Sequence, residues 1–253
     1  MIATTVVFAI QDGISRYLAE NYNVITVVTI RYMFFMCFVL AYGSRQKGGI
    51  RQMASSDQLP LQIGRGLLLL AQICVAILSF STLGLVNFHA VFASYPLMVM
   101  ALSVPILGEA VGWRRWLAVF VGFCGVLLIL RPGTEMFSGM TILPVLAAFM
   151  MAVYGILTRY AARRDAAETS FFWTGIAGAA VMTLVGIWFW QSMSLADWVW
   201  MAALCMAGAL GHWLLICCYE VAEASALALT IDYLTRDRQS LHMVLDGLVG
   251  LHI

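Results

Sequence analysis

Apolar residues run through most of this chain in long segments that short polar stretches separate. The stretch from Gly66 to Gly108 contains no Asp, Glu, Lys or Arg and is about twice the roughly 20 residues that a helix needs to cross a bilayer. Two helices must therefore share it. We place the break between Gly84 and His89, where glycine and small polar residues allow a tight reversal.

The same criterion applied to the whole chain predicts a bundle of eight clear membrane-spanning helices. They are expected at residues 1–19, 23–42, 66–85, 88–108, 113–131, 139–160, 169–190 and 197–219.

A ninth helix begins near Ala222 but is defective. Residues 228–253 carry three aspartates and two arginines, and their apolar remainder from Leu241 to Ile253 is too short for a crossing. We expect this segment to be an atypical polar tail that replaces normal ninth and tenth spans. The abrupt change suggests a shift of reading frame or a shortened gene.

Basic residues between the predicted helices fall on alternate loops. One side receives nine: Arg45, Lys47, Arg51, Arg65, Arg114, Arg115, Arg159, Arg163 and Arg164. Because Lys and Arg near span ends stay in the cytoplasm, this pattern predicts a multi-pass protein of the bacterial cytoplasmic (inner) membrane with its N-terminus in the cytoplasm.

Composition narrows the class of protein. Hydrophobic residues make up 62% of the chain and charged residues 11%, which cannot form a water-soluble surface. The net charge of +1 implies no nucleic-acid partner. The six cysteines show no metal-binding spacing, and no zinc-protease, serine-hydrolase or nucleotide-binding motif occurs, so we expect no cofactor, no metal and no enzyme activity.

The chain also repeats a short motif. Residues 13–17 read Gly-Ile-Ser-Arg-Tyr, and residues 155–160 read Gly-Ile-Leu-Thr-Arg-Tyr. Five spans separate the two copies, so two consecutive halves would insert with opposite orientation. Inverted repeats of this kind are typical of secondary carriers.

Further motifs match those of a known family along residues 1–227. In the first half they are Phe8-Ala9, Asp12, Arg31, Pro96, Gly108-Glu109, Arg114-Arg115-Trp116, Gly122-Phe123, Gly125-Val126 and Arg131-Pro132-Gly133. In the second half they are Gly211-His212, Tyr219 and Ala222-Glu223-Ala224-Ser225. On these motifs the chain resembles the drug/metabolite transporter superfamily, and within it the bacterial EamA-type carriers.

The resemblance implies an all-α membrane protein built from two inverted five-helix repeats around a central cavity. The first EamA-like repeat would cover residues 1–133, and a second, incomplete repeat residues 139–227, followed by the tail at 228–253. The implied function is an inner-membrane secondary transporter, for uptake or efflux, of small organic metabolites such as amino acids, nucleoside-type metabolites or amphipathic compounds. The mechanism would be alternating access.

Two other functions stay open at this point. One is a non-transporting or inactivated helical membrane protein, which the altered C-terminus favours. The other is a membrane enzyme acting on lipid-linked substrates, although the acidic residues within the spans are few and scattered. Membrane lipid and a small-molecule substrate are the expected partners, whereas proton or ion coupling and a homodimer are open.

Three charged residues within the first two spans are candidates for substrate binding. Asp12 and Arg16 share one face of the first helix, so they either line the substrate path or neutralise each other. Arg31 lies too deep in the second span to reach either interface, so we expect it inside the bundle, bound to a structural partner or to an anionic substrate group.

Four polar-tipped rings complete the candidate substrate site. These are Tyr95, Tyr154, His212 and Tyr219, each of which can hydrogen-bond a ligand while its ring packs against the bundle. Simple packing is the alternative role for each of them.

Overall fold

The computed structural model describes residues 2–46, 48–108 and 142–221, together with residues 112, 113, 116, 117, 120, 121 and 124. The three continuous ranges contain nine α-helices and no strand. The helices are α1 (Ile2–Asn21), α2 (Val24–Arg45), α3 (Gly49–Ala54), α4 (Leu59–Leu83), α5 (Leu85–Phe92), α6 (Tyr95–Leu107), α7 (Ile142–Ala161), α8 (Ala167–Gly186) and α9 (Leu195–Val221).

Six segments of the described chain are long and apolar enough to cross a membrane, so the expectation of eight is confirmed in part. They are α2, α4, the combined segment Leu85–Leu107, α7, Ala167–Phe189 and Leu195–Glu220. Helix α1 has 20 residues but carries Asp12, Arg16 and Glu20 and is less apolar. The expected span at 113–131 lies mostly outside the described residues, and the defective ninth helix and the tail lie wholly outside them.

The break predicted between Gly84 and His89 is confirmed at its first residue. Helix α4 ends at Leu83, α5 begins at Leu85, and Gly84 between them has a φ of +81°. Glycine adopts this backbone conformation without the steric cost that a Cβ imposes. The chain therefore reverses between α4 and α5 without a longer loop.

The start of α4 differs from the sequence-based prediction. We expected the third span to begin at Gly66 and counted Arg65 among the cytoplasmic loop charges. The helix instead begins at Leu59, with Pro60 in its first turn, and Arg65 lies inside the bundle with none of its surface exposed. A criterion that ends a span at the first charge fails here because the neighbouring helices supply polar partners for that charge.

Helices from the two halves of the chain pack against each other. Helix α1 packs against α9, α2 against α8, α4 against α7 and α8, and α6 against α7. At the α2–α8 contact, a Cβ on Gly178 would lie 2.0 Å from Cε1 of Tyr32. Small residues at such crossings let helix backbones approach closely, as in other membrane bundles.

The outer surface of the bundle is apolar. Leu184 is 71% exposed, Val199 70% and Trp188 85%. Side chains of this kind on the outside, around a buried interior that contains charged and amide groups, suit a lipid environment.

Candidate functional site

A cavity lies in the middle of the bundle. Residues from α1, α2, α4, α5, α6, α7 and α9 line it, and the space between their side chains is about 810 Å³ including its mouth. Its polar side chains are Thr4, Gln11, Asp12, Ser15, Arg31, Gln72, Tyr95 and His212. A concave site with a few polar groups in an otherwise apolar wall is the usual form of a small-molecule site.

Arg31 extends from α2 to this cavity and is 6% exposed. Its Nη2 donates to Oε1 of Gln11 at 3.1 Å and lies 3.4 Å from Nε2 of His212. Since a guanidinium can only donate, Nε2 is the acceptor in the second contact, which assigns the imidazole proton to Nδ1. The expected burial of Arg31 beside polar partners is confirmed, whereas its role in substrate binding stays a prediction.

Asp12 lines the same cavity from α1. Its Oδ2 lies 3.3 Å from Nε2 of His89, a residue of α5. Arg16, one turn further along α1, donates from Nε to Oε1 of Glu20 at 2.8 Å and is 35% exposed. Of these two candidates, the structure therefore brings Asp12 to the cavity and directs Arg16 toward the end of the helix.

Aromatic rings form one wall of the cavity. Phe88 stacks on Phe92 with ring centroids 5.0 Å apart, and Phe92 lies 5.1 Å from Tyr95. On another side, the rings of His212 and Phe8 pack edge to face with their centroids 5.3 Å apart. The candidates Tyr95 and His212 thus line the cavity, and each places a polar group beside the ring of a phenylalanine.

Tyr154 and Tyr219 occupy a different place. Both are buried, and among the described residues they are not part of the cavity lining. The hydroxyl of Tyr154 accepts a hydrogen bond from Nη1 of Arg65 at 3.2 Å. Tyr219 packs so closely on α7 that a Cβ on Gly155 would lie 2.4 Å from its hydroxyl oxygen. This packing favours a structural role for both tyrosines in the conformation seen here.

Arg65 is the buried charge that the sequence analysis missed. Besides Tyr154, it donates to Thr158 at 3.1 Å, Gln62 at 2.9 Å and Thr174 at 3.0 Å, and to the carbonyl oxygen of Ser170. These partners lie on α4, α7 and α8. The guanidinium therefore ties three helices together outside the cavity.

Uncharged polar residues of the cavity were also missed. Gln11 and Ser15 on α1 and Gln72 on α4 are each less than a tenth exposed. Amide and hydroxyl side chains inside an apolar segment are the signal that could have identified them, because their burial requires partners. In the described part of the chain, no cluster of three or more His, Cys, Asp or Glu residues could hold a metal ion.

Comparisons with known proteins agree with this architecture. A sequence model of the EamA-like transporter family matches residues 1–131, just over half of the chain. The S-adenosylmethionine uptake transporter of Rickettsia prowazekii is 24% identical over 231 residues, covering 90% of this chain and 76% of that protein. The riboflavin transporter of Vibrio cholerae is 27% identical, covering 89% and 76%.

A solved crystal structure, one of several that match, shares the fold. It aligns with a TM-score of 0.70 at 16% identity over 98% of this chain and 88% of its own. At that identity the likeness concerns the fold alone. The family match and the two transporters exclude the enzyme alternative and identify a membrane transporter of small metabolites. The chain belongs to the EamA-like transporter family, within the drug/metabolite transporter superfamily.

Proposed function

We propose that this protein carries a heteroaromatic, nucleoside-type metabolite across the bacterial cytoplasmic membrane by alternating access, with the central cavity as its binding site. One observation carries the proposal: the cavity combines a wall of aromatic rings with the charged side chains of Asp12 and Arg31 at the centre of an apolar bundle. Charges at this depth are costly and usually functional.

The aromatic wall supports the substrate class. Phe88, Phe92 and Tyr95 form a continuous row of rings that suits the flat face of a base or flavin. Gln11 and Gln72 add amide donors and acceptors to the same cavity. A ligand of this class needs such groups as hydrogen-bond partners for the polar edge of its ring and for its hydroxyl groups. S-adenosylmethionine and riboflavin, named for two relatives, both join a heteroaromatic ring to a polyhydroxyl group.

The pattern of helix contacts supports the mechanism. If residues 1–133 and 139–227 are inverted repeats, α1 corresponds to α7, α2 to α8 and α4 to α9. Under this correspondence, the partner of the α1–α9 contact is an α7–α4 contact, and the α2–α8 contact is its own partner. All three contacts occur, as the symmetry requires. Rocking of one repeat against the other would expose the cavity to each side in turn.

Transport by the purified full chain in proteoliposomes tests the proposal. We expect saturable exchange of radiolabelled S-adenosylmethionine or riboflavin against the same compound trapped inside, and none in protein-free liposomes. Leucine serves as a control ligand without a heteroaromatic ring. Repeating the assay with a pH or sodium gradient identifies any coupling ion. Absence of saturable exchange for every compound would support the non-transporting alternative.

A further inference from the structure

In the described part of the chain, the guanidinium of Arg31 makes no direct ion pair. Among the described residues, no carboxylate oxygen lies within 4.0 Å of its nitrogens, and its two polar contacts are with Gln11 and His212. The acidic side chain of the same cavity, Asp12, is not in direct contact with Arg31, and its Oδ2 lies 3.3 Å from Nε2 of His89. A negative group in direct contact would stabilise the buried cation further. Because Arg31 lines the cavity, a ligand in the cavity can supply it.

Two helices besides α2 hold this guanidinium in place. Gln11 contacts it from α1, His212 contacts it from α9, and Gly208 lies one turn before His212. A Cβ on Gly208 would lie 2.9 Å from Nε of Arg31 and 3.2 Å from Nη2, so the glycine allows the guanidinium to lie against the α9 backbone. These contacts orient Nη2 before a ligand binds and leave Nη1 without a hydrogen bond among the described residues.

We propose that Arg31 forms a carboxylate-binding subsite, with Gln11, Gly208 and His212 as positioning residues, so that the carried metabolite has a carboxylate group besides its heteroaromatic ring. A guanidinium binds a carboxylate through charge-assisted hydrogen bonds. Since Gln11 and His212 both contact Nη2, Nη1 is the group that would donate to the carboxylate. This inference rests on the proposed function and narrows its substrate class to ring compounds with an amino-acid-like tail.

Paired ligands that differ only in the carboxylate test the subsite. The probes are S-adenosylmethionine and decarboxylated S-adenosylmethionine, with dissociation constants measured by titration calorimetry on the full chain in lipid nanodiscs. We expect the carboxylated compound to bind about tenfold tighter or more, as for a charge-assisted hydrogen-bond pair. Arg31→Gln should abolish that difference by weakening S-adenosylmethionine and leaving the decarboxylated compound within about threefold of its original affinity.

Two further variants separate a binding role from a structural one. Gly208→Ala keeps the charge of Arg31 but displaces its guanidinium. It should therefore also reduce the ratio of the two dissociation constants that favours the carboxylated compound. Arg164→Gln removes an exposed positive charge elsewhere and should preserve the original preference. If Arg31→Gln does not fold, Arg31→Lys provides the test. Lysine keeps the charge but has one nitrogen, which cannot contact Gln11 and His212 and also hold the carboxylate as the separate Nη1 and Nη2 groups of arginine can, so most of the preference should be lost.

Three results would overturn the subsite. They are equal affinity of the unmodified chain for both probes, an equal loss for both probes in Arg31→Gln, or binding of riboflavin, which has no carboxylate, without binding of S-adenosylmethionine. In the last case riboflavin exchange in proteoliposomes would still support the proposed function. Failure of all exchange would instead defeat the proposed function itself.

Discussion

Individual charged residues show how far the sequence could locate the cavity. Arg31 could be placed inside the bundle because it lies in the middle of a long apolar segment, far from both interfaces. Arg65 could not be placed in this way, because it directly precedes a charge-free stretch. At that position, the sequence does not distinguish a buried helix residue from a loop residue. What distinguishes them is the set of partners on α7 and α8, which only the packed bundle brings near.

Asp12 gives the first prediction at this scale. Its carboxylate lines the cavity 3.3 Å from the His89 ring, so Asp12→Asn removes a negative charge from the cavity and changes the side chain's shape very little. We expect the rate of substrate exchange in proteoliposomes to fall at least about tenfold, since charges at this depth are usually functional. Asp57→Asn, at an exposed aspartate, is the matched control and should exchange normally. Unchanged exchange by Asp12→Asn for every accepted substrate would refute a functional role.

Whole helices were easier to predict than their ends. The two-helix interpretation of Gly66 to Gly108 holds because a charge-free stretch of that length must cross twice, and Gly84 reverses the chain. The start of α4 was missed by seven residues, from 66 to 59, because polar residues within its first turns are buried. Hydropathy averages the polarity of the side chains in a segment. It therefore cannot identify the residues on other helices that form hydrogen bonds with one buried charge.

The Arg65 contacts predict a structural effect at the scale of helices. Arg65→Met keeps much of the side-chain volume but removes hydrogen bonds that join α4 to α7 and α8. Hydrogen bonds to a buried charge contribute about 1.5–3 kcal/mol each, so we expect a loss of at least about 2 kcal/mol in the free energy of unfolding. The measurement is denaturant unfolding of the purified chain in detergent.

The exposed Arg51 provides the control for that measurement. Arg51→Met removes an arginine from the short helix α3, at a position with a solvent-accessible side chain, and should leave the free energy of unfolding within about 0.5 kcal/mol. Equal stability of the two variants would show that the Arg65 contacts contribute nothing net to the fold. In that case the burial of Arg65 would need another explanation.

At the scale of the whole molecule, the two ends of the bundle differ in charge. At one end, Arg159 donates to the carbonyl oxygens of Tyr219 and Glu220 near the end of α9. At the same end, Arg163 donates to the carbonyl oxygen of Leu107, the last residue of α6. At the opposite end, Asp197 accepts hydrogen bonds from Tyr17 and Tyr22. The difference persists although Arg65 no longer counts as a loop charge.

This asymmetry predicts the orientation of the protein in the membrane. Lys and Arg near span ends stay in the cytoplasm, so the end with Arg159 and Arg163 should face inward and the loop before α9 outward. Two exposed serines allow a test with conservative changes: Ser192→Cys in that loop and Ser55→Cys after α3. A membrane-impermeant maleimide should label Ser192→Cys in intact cells and Ser55→Cys only after permeabilisation. The unmodified chain, with its own cysteines, gives the background, and the reverse labelling pattern would invert the orientation proposed for the carrier.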